Sequence, residues 1–335
     1  MSIQKSLRLS LVLMACLPLI FLTIFTYNLS YKKYMDLATQ STVELAKNYG
    51  MGFQSQLNSQ IAEVEGLANG TNIQNLVLEN YNGVTLGNDS PYYTNVTDLF
   101  ATASDYAGNN VNYYLYDVNG YYITSSDNTN TDDWQEHMTI PVEDITETKI
   151  LQCSPLDEIE SIDVVSPIII KSQIVGLIRA NITSRYFGSF IPEDGSAFIM
   201  TNDGGYLFTS TGLTGQRELE TQAFNCLNGA DNAKDYGHLK ASSFKNIYGF
   251  CKLSDSNWLY LIKQQGTQYQ QILATLPITM SITLIIILMI AIWVSRILSA
   301  KYTEPIFTLR DNMTDASSGN LAVSYTHLTL PTNIE

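Results

Sequence analysis

The chain has 335 residues, is 45% hydrophobic and only 15% charged, and carries a formal net charge of −14; soluble globular chains are about 25% charged. Its 12 Phe and 21 Tyr exclude disorder, 18 Lys/Arg against 32 Asp/Glu exclude a nucleic-acid partner, and 4 Cys exclude a disulfide scaffold. A mean hydropathy of zero beside a pI of about 4.6 requires the apolar residues to be gathered in a few places.

They are gathered in two. Residues 9–31 contain no charge, and residues 272–294 are an uncharged run with Pro277 inside it. A helix crosses a bilayer in about 20 residues, so both runs are expected to be transmembrane helices. The first exceeds the apolar core of a signal peptide and runs on into Phe25, Tyr27 and Tyr31, which favours a retained anchor. Lys5 and Arg8 precede the first span, and Arg296, Lys301 and Arg310 follow the second. The positive-inside rule then puts both ends of the chain in the cytoplasm, residues 1–8 included, and the long segment between the spans outside the plasma membrane. Residues 28–271 hold 28 Asp/Glu and 13 Lys/Arg, so the acidity of the chain is extracytoplasmic. Cys226 and Cys251 lie in a compartment that permits a disulfide; a bond between them and free, buried thiols both remain open.

Within this segment, residues 32–68 predict a long helix, because Phe53, Leu57, Ile61, Val64 and Leu67 recur at spacings of three and four. Asn72–Glu79 and Thr94–Ala107 predict two shorter helices around a Gly- and Asn-rich loop. The period then changes. Residues 111–117 and 121–126 read as strands joined by an Asn119-Gly120 turn, whose positive φ suits a tight hairpin. The pattern recurs about ninety residues on, in strands 196–201 and 206–210 around Asn202-Asp203-Gly204-Gly205. Further strands are expected at 162–171 and 174–181 after the first hairpin, and at 243–253 and 258–263 after the second. A short helical connection is expected at Ser184–Phe190. A repeated unit of this kind predicts two tandem antiparallel-sheet modules in an α+β architecture.

The segments YYLYDVNGYYITSS (113–126), SPIIIKSQIVGLIRANIT (166–183), FIMTNDGGYLFTS (198–210) and NIYGFCKLSDSNWLYLIK (246–263) occur in the order found in double Cache sensor domains. Over residues 32–268 the chain resembles that family. The resemblance implies two PAS-like modules, a distal one at about 70–190 and a proximal one at about 191–268, carried on the long N-terminal helix and flanked by the two spans. The segment after the second span is similar to the first helix of a HAMP linker. Glu304-Pro305-Ile306 opens it, Pro305 sits where a missing N–H is harmless, and Gly319-Asn320-Leu321 closes it. Ile306, Leu309 and Met313 fall at helical spacings, as the seam of a helix bundle requires, and a homodimer is therefore implied. Residues 295–323 are read as a partial HAMP. Residues 324–335 do not look like its continuation, and the chain is read as truncated before an output domain.

Catalysis finds no support in the sequence. The three His show no metal-ligand spacing, and Asp203-Gly204-Gly205 lacks the Lys-Ser/Thr of a phosphate loop. No cofactor is expected. In the family, small molecules bind the distal module on the sheet face bounded by loops. Tyr114, Tyr116 and Tyr122 lie on that module's hairpin, with Asp132, Trp134 and Asp163 beyond it. Amphipathic aromatics beside acids suit a small polar or cationic ligand. Family members that bind amino acids carry a Tyr, an Arg and a Trp-Tyr pair in one loop, with an Asp later. Aligned on Trp134, the Tyr and Arg positions are Asp127 and Asp132, Gln135 replaces the second Tyr, and Asp163 stands as the later acid. The carboxylate-clamping Arg is thus missing from its expected place. The implied function is the sensory half of a bacterial transmembrane receptor, whose output would be a histidine kinase, a diguanylate cyclase or a chemotaxis transducer. The alternative is an anchored solute-binding or adhesion protein without an output.

Overall fold

A computed structural model describes residues 3–83, 90–127, 142–152, 161–192, 194–208, 213, 216–228, 235–240, 246–265, 267–298, 301 and 304–318. They divide into two units. One comprises residues 36–267, and the other residues 1–35 with 268–335.

The long helix α1 runs Ile3–Ala68. Within the larger unit its buried row is Ala38, Thr42, Ala46, Phe53, Leu57, Gln60, Val64 and Ala68. Phe53, Leu57 and Val64 sit where the periodicity puts them, whereas Ile61 and Leu67 flank the row half-buried. Helices α2 (Thr71–Tyr81) and α3 (Pro91–Tyr106) follow. Ser90 caps α3 by accepting from the Tyr93 N–H, and Pro91 occupies the first turn, where its missing N–H costs nothing.

The first sheet is built from β1 (Val111–Asp117), β2 (Tyr122–Ser125), β3 (Lys149–Gln152), β4 (Ser161–Ile170) and β5 (Gln173–Thr183), in the order β2-β1-β5-β4-β3. The second uses β6 (Ala197–Met200), β7 (Tyr206–Leu207), β8 (Tyr236–Leu239), β9 (Asn246–Leu253) and β10 (Trp258–Gln265), in the order β7-β6-β10-β9-β8. The two orders are the same permutation, and every pairing is antiparallel. The expected repeat is therefore a repeat of topology. A 3₁₀ turn at Ser184–Phe187 connects the modules. Strands β3 and β8 and the helix α4 (Arg217–Asn228) are additions to the sequence reading. The helix had a signal, since Leu219, Ala223 and Leu227 are buried at spacings of four.

The hairpins correct one expectation. Asn119-Gly120 does not form a two-residue turn. Asp117 and Tyr121 close a three-residue loop in which Gly120 takes the positive φ, 81°. The Asp117 carboxylate supports it by accepting from the N–H groups of Asn119 and Tyr121, each at 2.8 Å. Thr201 and Gly205 close the second loop in the same way, with Gly204 at φ 87°.

One continuous core joins both sheets to α1. It holds Tyr113, Leu115, Val164, Ile178 and Ala180 of the first sheet and Ala197, Ile199, Cys251, Tyr260 and Ile262 of the second, around Phe53, Leu57 and Val64. A further cluster covers the opposite face of the second sheet, where α4 packs on Phe198, Phe250, Leu259 and Leu261.

In the smaller unit, α5 (Thr267–Leu298) contains the one stretch among the described residues that is long and apolar enough to cross a membrane, Pro277–Leu298, with mean hydropathy 2.5. It lies a few residues later than the expected 272–294. Leu19 and Thr23 of α1 line a shallow pocket with Thr279, Met280, Thr283, Leu284 and Ile287 of α5. Helix α6 (Glu304–Ser317) follows. The tail at 324–335 lies outside the described residues.

Candidate functional site

Alternation along a strand sends successive side chains to opposite faces. In the first sheet, Tyr113 and Leu115 go to the core, and Tyr114 and Tyr116 to the other face. Register fixes which residues join them there. Tyr114 pairs with Arg179, which pairs with Val165; the next row holds Asn112, Asn181 and Asp163. On the other side of β1, Tyr114 lies opposite Ser125 and Tyr116 opposite Tyr122.

These residues form one polar network. Arg179 Nε stands 2.9 Å from Asp163 Oδ2, and the Arg179 Nη1 donates to the Tyr116 hydroxyl at 3.4 Å. The guanidinium lies over the Tyr114 ring, 5.0 Å from its centroid. Asn181 donates to Asp163 Oδ1 at 2.9 Å. At the rim, the Tyr114 hydroxyl reaches Asp127 Oδ2 at 3.4 Å, Ser125 Oγ donates to Asp127 Oδ1 at 2.7 Å, and the Tyr122 and Ser125 hydroxyls share a bond of 2.8 Å. Tyr116 and Tyr122 meet edge to face, their centroids 6.4 Å apart. Arg179 and Asp163 are 7% and 3% exposed, so the pair is removed from water, while Asp127 is open to solvent. Val142, Ile145, Val165 and Leu177 pack with Tyr116 in a buried apolar cluster, which leaves Tyr116 1% exposed.

The sequence thus placed Tyr114, Tyr116, Tyr122 and Asp163 in one group, and the structure brings them together. Asp132 and Trp134 lie outside the described residues. Arg179, Asn181, Ser125 and Asp127 are the members that sequence reasoning left out of the site. Arg179 had a signal of its own, as the one charged residue in a β-favouring run, IVGLIRANIT.

The second sheet offers an internal comparison. Matching the two registers puts Phe198, Met200, Leu261 and Tyr248 where the first sheet has Tyr114, Tyr116, Arg179 and Asp163. Those side chains are buried under α4. One topology therefore carries a polar, aromatic-lined face in one module and a filled apolar face in the other.

Two further groups of predicted residues have other outcomes. Cys226 and Cys251 are both free. Cys251 faces α1, packed beside Gly50, while Cys226 packs with the cluster on the other face of the sheet, so the strand layer separates them and, of the two alternatives, the structure holds free thiols. Burial pushes both thiols above their ordinary range. Pro305 lies in the first turn of α6, and Ile306, Leu309 and Met313 are each about two-thirds exposed. Their stripe covers nothing among the described residues.

No family model matches the chain, and no curated protein does. Solved structures do resemble it. The extracellular domain described for the histidine kinase soHK1S-Z6 superposes with a TM-score of 0.49 at 10% identity, over 71% of this chain and 98% of that one. The ligand-binding domain of the Pseudomonas fluorescens chemoreceptor CtaA, in complex with L-serine, gives 0.44 at 15% identity, over 72% and 99%. That of the Pseudomonas aeruginosa PAO1 chemoreceptor PctC, in complex with GABA, gives 0.44 at 14% identity, over 68% and 99%.

Proposed function

We propose that this chain is the sensory part of a transmembrane receptor, and that a small polar or cationic molecule binds the first sheet on the face of Tyr114, Tyr116 and Tyr122. The observation that carries this reading is the contrast between the two modules. Both faces are buried, but the second is filled by Phe198, Leu261 and Tyr248, whereas the first keeps the charged Arg179 and Asp163 among its buried residues. Keeping a buried ion pair and three tyrosines on the first face costs desolvation, and a recognition surface is the return on that cost.

In this reading residues 9–31 and 272–294 both cross the plasma membrane, residues 32–268 are extracytoplasmic, and the protein works as a homodimer. The exposed row of Ile306, Leu309 and Met313 supports the dimer, because an amphipathic helix with an open apolar stripe needs a partner. Ligand would shift the balance between two states that differ in affinity. The shift would pass through α5 into a HAMP helix and on to a kinase, cyclase or chemotaxis output.

The test is a thermal-shift screen of the full chain in detergent micelles against a metabolite library. Compounds that stabilise the wild type are expected to lose their effect on Tyr114→Ala and on Trp134→Ala. Hits that persist in both variants would place the site elsewhere.

A further inference from the structure

The ion pair at the centre of this face has a second consequence. Both oxygens of Asp163 are engaged from within the module, Oδ1 by Asn181 and Oδ2 by Arg179. Arg179 is engaged in turn along its edge by Asp163 and Tyr116, and on its flat face by Tyr114. Pair and partners come from β1, β4 and β5, three adjacent strands, and not from a loop that ligand binding could reorder. A guanidinium recognises a carboxylate through two parallel N–H groups presented as a fork. Here the edge carrying Nε is already occupied by a carboxylate of the protein itself.

We infer that Arg179 and Asp163 are positioning residues, an internal strut that holds the Tyr114 and Tyr116 rings in place. Neither serves as a clamp for the ligand's own charged groups. This rests on the reading that this face meets the ligand, and it narrows the ligand class. The Nε edge of Arg179 is not open to a ligand carboxylate, so an amino acid clamped through that edge is excluded. The compounds that fit are small molecules recognised by the tyrosine faces and hydroxyls and by the rim around Asp127. In the second module the matching positions are Leu261 and Tyr248, which are buried in the apolar cluster on that face. The other cation in this row, Lys149, stands at the far edge of the sheet and donates to the Asp144 carbonyl at 3.1 Å.

The experiment uses acetate as the probe and the full chain in detergent micelles. Wild type and Arg179→Met are expected to show the same small change in melting temperature with acetate. Asp163→Asn keeps the shape and releases the fork, so its apparent acetate affinity should rise roughly tenfold or more, and the gain should vanish in Asp163→Asn/Arg179→Met. An acetate response in wild type that Arg179→Met abolishes would overturn the inference, as would a folded Asp163→Asn that gains nothing. If Asp163→Asn does not fold, the double variant Asp163→Leu/Arg179→Met decides. A strut predicts that it folds and melts above Arg179→Met alone, because no buried charge is left unpaired; a double variant that also fails to fold, or melts below Arg179→Met, would overturn the proposal. None of these measurements needs the native ligand. Failure here leaves the metabolite screen standing, and failure of the screen leaves the strut standing.

Discussion

The Tyr113 hydroxyl donates to Gln60 Oε1 at 3.3 Å, and through that contact the strand that carries the candidate site is tied to α1. Tyr113 is the neighbour of Tyr114 and points to the opposite face. Gln60 also donates to the Tyr186 hydroxyl and to Glu63, both at 2.8 Å. Burial, with Glu63 nearby, pushes the Tyr113 phenol far above its ordinary range, so it stays a neutral donor. The network links β1, α1 and the connection between the modules.

Removing one member leaves buried partners unsatisfied. Gln60→Leu is expected to lower the unfolding free energy by about 1–3 kcal/mol. Tyr113→Phe should cost less, since Gln60 keeps Tyr186 and Glu63. Chemical denaturation followed by circular dichroism of the full chain checks both. Equal losses would mean that Gln60 is not the hub.

Two glycines separate space from helix propensity. A Cβ on Gly249 would meet the Thr42 carbonyl oxygen at 2.5 Å, where β9 lies against α1. Gly66, on the same helix, has nothing within 4 Å of that position. Gly249→Ala is expected to destabilise by about 1–3 kcal/mol. Gly66→Ala should stabilise by about 0.5–1 kcal/mol through helix propensity. Melting curves of the two variants should therefore move in opposite directions.

The second hairpin is expected to be sensitive to acid. The Thr201 hydroxyl and the Gly205 N–H, at 3.2 Å, hold the Asp203 carboxyl below the usual carboxylate range. A depressed pKa in the folded state gives stability that is present above the unfolded value of about 3.9 and is lost as pH falls through the folded value. Asp203→Asn should flatten this part of the acid limb in a series of melts from neutral pH downward. It should change little at neutral pH, because the group is largely solvated. An unchanged acid limb would contradict the assignment.

Because Cys226 and Cys251 lie on opposite sides of the second sheet, both are expected as free thiols. Iodoacetamide should label Cys251 only after unfolding, since burial raises its pKa and closes access. Cys226, half-buried, should react faster under native conditions. Peptide mapping without reductant checks both expectations, and a peptide joining the two residues would refute them.

Elements whose signal is local can be read from the amino-acid sequence alone. The three-four stripe around Phe53, Leu57 and Val64 gave the long helix, runs of aromatic and β-favouring residues gave β1, β4, β5, β9 and β10, and paired Gly-containing turns gave the repeat. The short strands β2, β6 and β7 were marked by the Gly-containing turns beside them, whereas β3 and β8 flank no such turn in the sequence reading. The candidate site depends on how distant strands pair. Alternation says that Tyr114 and Tyr116 share a face, and it cannot say that Arg179 and Asp163 share it too, because that depends on pairing registers between strands far apart in the chain. The same holds for the cysteines, since a sheet separates what the sequence leaves free to meet. A one-residue slip of β5 would have sent Arg179 into the core. The physical reason for the division is that periodicity is a property of one segment, whereas register is a property of two, and chemistry at a site is written in register.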